Sequence, residues 1–173
     1  MNNIVFNNIV HVDKDVNVHE FFYDALQHVT STSNYWTFTD TKDALRTLIS
    51  RKITPDIIFL DLDFHKMSGH EFLAHLKKFE HLRNVPAIIF SDSTRRSTRQ
   101  VTRILGAKGF IKKSCSQHEF IEILSSILSL DFLMNPNLDF SSFTNFTQVH
   151  NLDSLLFQNT CSNEVIEYGF NIN

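Results

Sequence analysis

Ile57-Ile58-Phe59-Leu60-Asp61-Leu62-Asp63-Phe64-His65-Lys66-Met67-Ser68-Gly69 is the stretch on which the fold turns. Its first four residues are apolar and mostly branched or aromatic, the pattern of a short strand buried on both faces. The run stops at a carboxylate, so Asp61 sits at a strand's carboxyl end, where open α/β sheets place their chemistry. A polar loop follows. Ser68-Gly69-His70-Glu71 then reads as a capping box that opens a helix with Phe72, Leu73, Leu76 and Phe79 turned inward.

The same alternation runs outward in both directions. Upstream, Ile9-Val10-His11-Val12 is a strand closing on Asp13-Lys14-Asp15, and Asp15 can cap a helix with Phe21, Phe22, Ala25, Leu26 and Val29 on one face. Tyr35-Trp36-Thr37-Phe38 reads as a second strand, and Asp40 caps a helix carrying Ala44, Leu45, Leu48 and Ile49. Downstream, Ala87-Ile88-Ile89-Phe90 is a fourth strand ending at Ser91-Asp92. A helix through Val101, Ile104 and Leu105 ends at Gly106, a good C′ residue. Gly109-Phe110-Ile111 is a fifth strand, leading to Lys112-Lys113. Ser116 to Glu119 is a second capping box before Phe120, Ile121, Leu124, Ile127 and Leu128. Five consecutive β-α units with apolar strands predict a parallel sheet covered by helices on both faces, doubly wound through right-handed crossovers.

In such a sheet all strand carboxyl ends share one edge. They deliver Asp13 and Lys14, Asp61, Ser91 and Asp92, and Lys113 to it. A carboxylate beside other acids, a hydroxyl and a lysine suits phosphoryl transfer. Acids hold a divalent cation, lysine and hydroxyl bind phosphoryl oxygens, and the carboxylate can form an acyl phosphate.

Over roughly residues 6–130 the chain resembles the response-regulator receiver domains of bacterial two-component signalling. Asp61 stands where that family carries its phosphoacceptor, and Met67 and Gly69 match the loop behind it. Ser91 matches the hydroxyl residue after strand four. Gly106-Ala107, Phe110 and Lys113 match the Gly-Ala pair, the aromatic switch and the lysine, while His81 to Pro86 looks like a loop of many single-domain, CheY-like members. The resemblance implies a flavodoxin-like sheet of order 2-1-3-4-5. It also implies a non-enzymatic signalling role in the cytoplasm, with a sensor histidine kinase or histidine phosphotransfer protein as donor. Output to a downstream protein partner would pass through the face of helix four, strand five and helix five, where Phe110, Arg95, Arg99 and Arg103 lie. It further implies Mg²⁺ held by Asp13, Asp61 and the backbone carbonyl of Asp63.

Several positions depart from the family pattern. Lys14 replaces the second acid of the pair after strand one, which is expected to weaken or abolish Mg²⁺ binding. Asp92 stands where a small residue is usual, and His65 replaces a loop proline. Ser114 replaces the proline after the lysine, so a trans bond and a displaced Lys113 are expected, since a non-proline cis bond costs about 3–4 kcal/mol. An alternative reading is a phosphorylation-independent pseudo-receiver in which Lys14 pairs with Asp61 in place of the metal. A remote one is a phosphatase of the haloacid-dehalogenase type, which Asp61-Leu62-Asp63 superficially resembles, with the second aspartate as general acid.

Composition sets the remaining bounds. The 173 residues are 42% hydrophobic and 20% charged, enough for one packed core, and the net charge of −3 gives no bulk attraction to nucleic acid. No helix-turn-helix follows the first 130 residues, so direct DNA binding is not expected. No apolar run reaches the ~18 residues of a membrane span. Two cysteines far apart, Cys115 and Cys161, read as free thiols. Residues 1–130 form the receiver-like domain. Residues 131–173 form an extension with eight asparagines, six phenylalanines, five acids and no lysine or arginine. It is expected to be poorly ordered.

Overall fold

A computed structural model of the chain describes residues 6–92 and 95–130. The five β-α units follow one another as β1 (Asn8–Val12), α1 (Val16–Val29), β2 (Asn34–Phe38), α2 (Thr41–Ile49), β3 (Ile57–Leu60), α3 (Gly69–Leu76), β4 (Ala87–Ser91), α4 (Arg96–Ile104), β5 (Gly109–Lys112) and α5 (Gln117–Leu128). The sheet is wholly parallel with order β2-β1-β3-β4-β5, as the resemblance implied. The extension at 131–173, including Cys161, lies outside the described residues.

Local signals set the helix starts. Asp15 accepts from the Asn17 N–H, and Asp40 from the N–H groups of Lys42 and Asp43. Both capping boxes form reciprocally, Ser68 with Glu71 and Ser116 with Glu119. Each satisfies orphan donors of the first turn. Gly106 follows α4 at φ +90°, the left-handed conformation that ends helices on glycine.

Alternation along the strands splits the core in two. Val10, Val12, Ile58, Leu60, Ala87, Ile89 and Phe110 face α2 and α3. Ile9, Ile57, Phe59, Ile88, Phe90 and Ile111 face α1 and α5 with Phe22, Leu26, Phe120 and Leu124. β3, fully buried, is the spine. Two elements are less covered than their sequence suggests. β2 is an edge strand with Trp36 and Thr37 exposed. In α4 only Thr102 is buried, whereas Val101 and Ile104 are 45% and 77% exposed. α4 thus turns two of its apolar residues to solvent.

Candidate functional site

The hydrogen-bond ladder continues one residue past the strands. The N–H of Asp13 donates to the Phe38 carbonyl at 3.0 Å, that of Asp61 to Val12 at 2.9 Å, and that of Lys113 to Ser91 at 3.4 Å. The strand alternation therefore extends to these residues. His11 and Asp13, Phe59 and Asp61, Ile111 and Lys113 share one parity and reach the carboxyl edge on one side of the sheet.

There Lys113 Nζ lies 2.7 Å from Asp13 Oδ2 and 3.2 Å from Asp61 Oδ2. Both carboxylates are buried and the lysine side chain is only 13% exposed, so solvent screens this triad weakly. The other carboxylate oxygens are engaged by backbone. Asp13 Oδ1 accepts from the Asp15 N–H at 3.0 Å, and Asp61 Oδ1 from the Leu62 N–H at 2.8 Å. Burial pushes the Asp13 carboxyl up, but the neighbouring His11 ring, the Lys113 ammonium and the Asp15 N–H outweigh it and hold Asp13 below its ordinary value. Burial likewise opposes the charge on Lys113, and the two carboxylates win, raising it.

Two expectations are corrected here. Lys113 is not displaced: among the described residues every peptide bond is trans, and Lys113 still reaches Asp61. Nor does Lys14 pair with Asp61. Its ammonium bonds to the exposed carboxylate of Asp63, raising Lys14 and lowering Asp63 from their ordinary values. The ammonium that neutralises Asp61 comes from Lys113, just past the end of β5, instead. The same pairing commits the Asp63 side chain, the general acid of the phosphatase alternative, to a lysine.

Ser91 ends β4, the neighbour of β3, and is buried. Asp92 beside it is exposed. The loop behind Asp61 is clamped from two sides. The Gly69 N–H donates to the Leu62 carbonyl at 3.2 Å, and the buried Thr41 hydroxyl donates to the Met67 carbonyl at 2.8 Å. Gly69 is required by space: a Cβ would stand 2.3 Å from the Asp61 carbonyl oxygen and 2.7 Å from Leu62 Cα. On the far side of β5, Phe110 is buried, and the Arg99 guanidinium lies 5.1 Å from its ring centroid, within cation–π range. Arg95, Arg96 and Arg103 are exposed.

Sequence reasoning missed a polar group under the triad. His11 is fully buried in β1 among Phe22, Phe90, Tyr35 and His19. Its Nδ1 lies 2.7 Å from the Tyr35 hydroxyl, and its Nε2 lies 3.8 Å from Asp13 Oδ2. Burial dominates and pushes the imidazole down to about 4 despite Asp13, so it is neutral at pH 7. The signal was present: a histidine two residues before a strand-end carboxylate points to the same face.

The response regulator receiver domain family matches residues 9–125 of the chain. The chain belongs to this family. Among curated relatives, the polar-differentiation response regulator DivK of Brucella ovis is 32% identical over 89 residues, covering 51% of this chain and 72% of that protein. DivK of Brucella anthropi is 30% identical over the same shares. Among solved structures, the phosphorylated cyanobacterial phytochrome response regulator RcpA aligns at TM-score 0.63 and 25% identity, over 71% of this chain and 91% of its own. Vibrio cholerae chemotaxis protein CheY4, at 20% identity and TM-score 0.62, shares the fold over 71% and 99%. The receiver therefore has the sheet order of two-component signalling domains. Among its described residues no helix is long and apolar enough to cross a membrane.

Proposed function

We propose that Asp61 is the phosphoacceptor of this receiver, taking its phosphoryl group from a sensor histidine kinase or histidine phosphotransfer protein. The observation that carries the reading is Lys113 bridging Asp13 and Asp61 at the sheet edge. A carboxylate oxygen of Asp61 attacks the phosphorus of the donor phosphohistidine. The new P–O bond forms as the P–N bond breaks, and the donor imidazole leaves with the electron pair. Lys113, already within reach of both carboxylates, is placed to pair with the phosphoryl oxygens, and the Ser91 hydroxyl at the end of β4 is placed to donate to one. The ordered backbone around Met67 and Gly69 holds the acceptor still.

The donor set fits a divalent ion, though sparsely. Mg²⁺ commonly rests on one or two carboxylates and keeps its waters, and Asp13, Asp61 and the Asp63 carbonyl would hold it. Bound there, Mg²⁺ neutralises charge developing on the phosphoryl oxygens. Lys14 adds a positive charge where a third acid would attract the ion, and no group of three His, Cys, Asp or Glu side chains among the described residues is gathered as a metal cage. Mg²⁺ binding is accordingly weak. Output runs through the α4-β5-α5 face to a protein partner, with Phe110 under Arg99 as the link between the site and that surface.

The full chain incubated with acetyl phosphate and Mg²⁺, or with a phosphorylated histidine donor, should gain one phosphoryl group by intact mass, and Asp61→Asn should gain none. Absence of uptake from both donors, or unchanged uptake in Asp61→Asn, would overturn the reading.

A further inference from the structure

α4 combines two features that a helix on a domain surface seldom shows together. Val101 and Ile104 lie three residues apart on one side of the helix and stand in solvent. Around them the charge has a single sign. From residue 93 to residue 118 there is no acid, and besides Lys113, which is committed to the Asp13–Asp61 pair, there are six cations (Arg95, Arg96, Arg99, Arg103, Lys108 and Lys112). An apolar pair inside a basic field fits a partner that offers apolar side chains together with carboxylates.

The chain supplies such a segment itself. Residues 131–173 carry five acids, no lysine or arginine, and six phenylalanines. Topology also puts its origin close by. In a parallel sheet every crossover helix runs back from the carboxyl edge to the amino edge, so the end of α4 at Ile104 and the end of α5 at Leu128 lie at the same edge. α4 spans nine residues, roughly 14 Å at 1.5 Å per residue, and an extended chain covers that in about five residues. Forty-three residues follow Leu130, far more than the span requires.

We infer that segment 131–173 docks in cis on the solvent face of α4, its apolar side chains on Val101 and Ile104 and its carboxylates among the flanking arginines. The segment then competes with any acidic, apolar partner for that face. This holds whether or not Asp61 is phosphorylated.

A nitroxide on Cys161 of the full-length Cys115→Ser chain tests it through the amide resonances of ¹⁵N-labelled protein. The expected result is selective loss of intensity at Val101, Thr102, Ile104 and Leu105. The effect should be relieved by Ile104→Ser, by the Arg95→Glu/Arg96→Glu pair, and by added salt, which screens exposed charges. Ile104 is 77% exposed, so its substitution leaves the fold intact. Intensity loss spread evenly, centred on another element, or unchanged in both variants overturns the proposal. The same loss in a mixture of spin-labelled ¹⁴N chain with unlabelled ¹⁵N chain also overturns it, and makes a second copy the occupant.

Discussion

At the site, single residues divide the work between charge and position. Lys113 holds two buried carboxylates together, and removing one member of such a group leaves charge uncompensated, at a cost of about 3–5 kcal/mol. Lys113→Met should therefore lower the urea midpoint by that equivalent as well as abolish phosphoryl uptake. A stability unchanged from the parent would show that the triad does not hold the edge together. Lys14 has the opposite bearing. Lys14→Asp removes a cation and adds a carboxylate, so Mg²⁺ affinity read by calorimetry should rise by about tenfold or more. An unchanged affinity would mean that position 14 does not face the ion. His11 gives the receiver a pH signature. Its folded value, about 4, lies below the ordinary 6.5, so between these the unfolded chain binds more protons and stability falls as pH drops. The shift is worth about 3 kcal/mol across that window. His19, also lowered by burial, acts with the same sign. His11→Phe should flatten the pH 4–6.5 slope of the melting temperature, while Asp13, held below its ordinary value, still costs stability at lower pH.

At the scale of elements, what was legible in the sequence was what is local. The strands, both capping boxes, the caps at Asp15 and Asp40 and the stop at Gly106 follow from period, propensity and backbone rules within a few residues. What failed needed neighbours. The partner of Lys14 is settled by the loop after β3, which puts Asp63 nearer than Asp61. The exposure of Val101 and Ile104 is settled by how α4 lies on the sheet, since helical spacing alone does not say which stripe faces inward. The reach of Lys113 survives the loss of the proline after it because the β4-β5 ladder fixes its backbone. The β3-α3 loop makes a sharper case. Gly69 packs against the Asp61 carbonyl with no room for a methyl group. Gly69→Ala must therefore move backbone rather than a flexible side chain. It should cost about 1–3 kcal/mol in urea unfolding and shift the Asp61 and Leu62 amide resonances. Stability equal to the parent with those resonances unmoved would show that the loop yields freely.

Across the whole molecule, stability is unevenly spread because the sheet has one well-covered spine and two lightly anchored margins. β3 is buried at every residue and lies between β1 and β4, with apolar layers on both sides. Opening it exposes both layers, so its amides should exchange only through global unfolding. α4 buries Thr102 alone among its nine residues, and its N-cap, Arg95, provides no side-chain hydrogen bond to the first turn. It can open without disrupting either layer. β2 holds the sheet by one neighbour, β1, and three of its five residues are exposed. Hydrogen exchange followed by mass spectrometry should therefore rank β3 slowest, β2 faster and α4 fastest. In Ile104→Ser the protection of β3 should be unchanged, because that side chain contributes little to the core. Protection of α4 equal to that of β3 would mean that the helix unfolds only with the sheet. The face proposed for output would then be rigid, and the proposed signal from Asp61 would have to reach it without any local opening of α4.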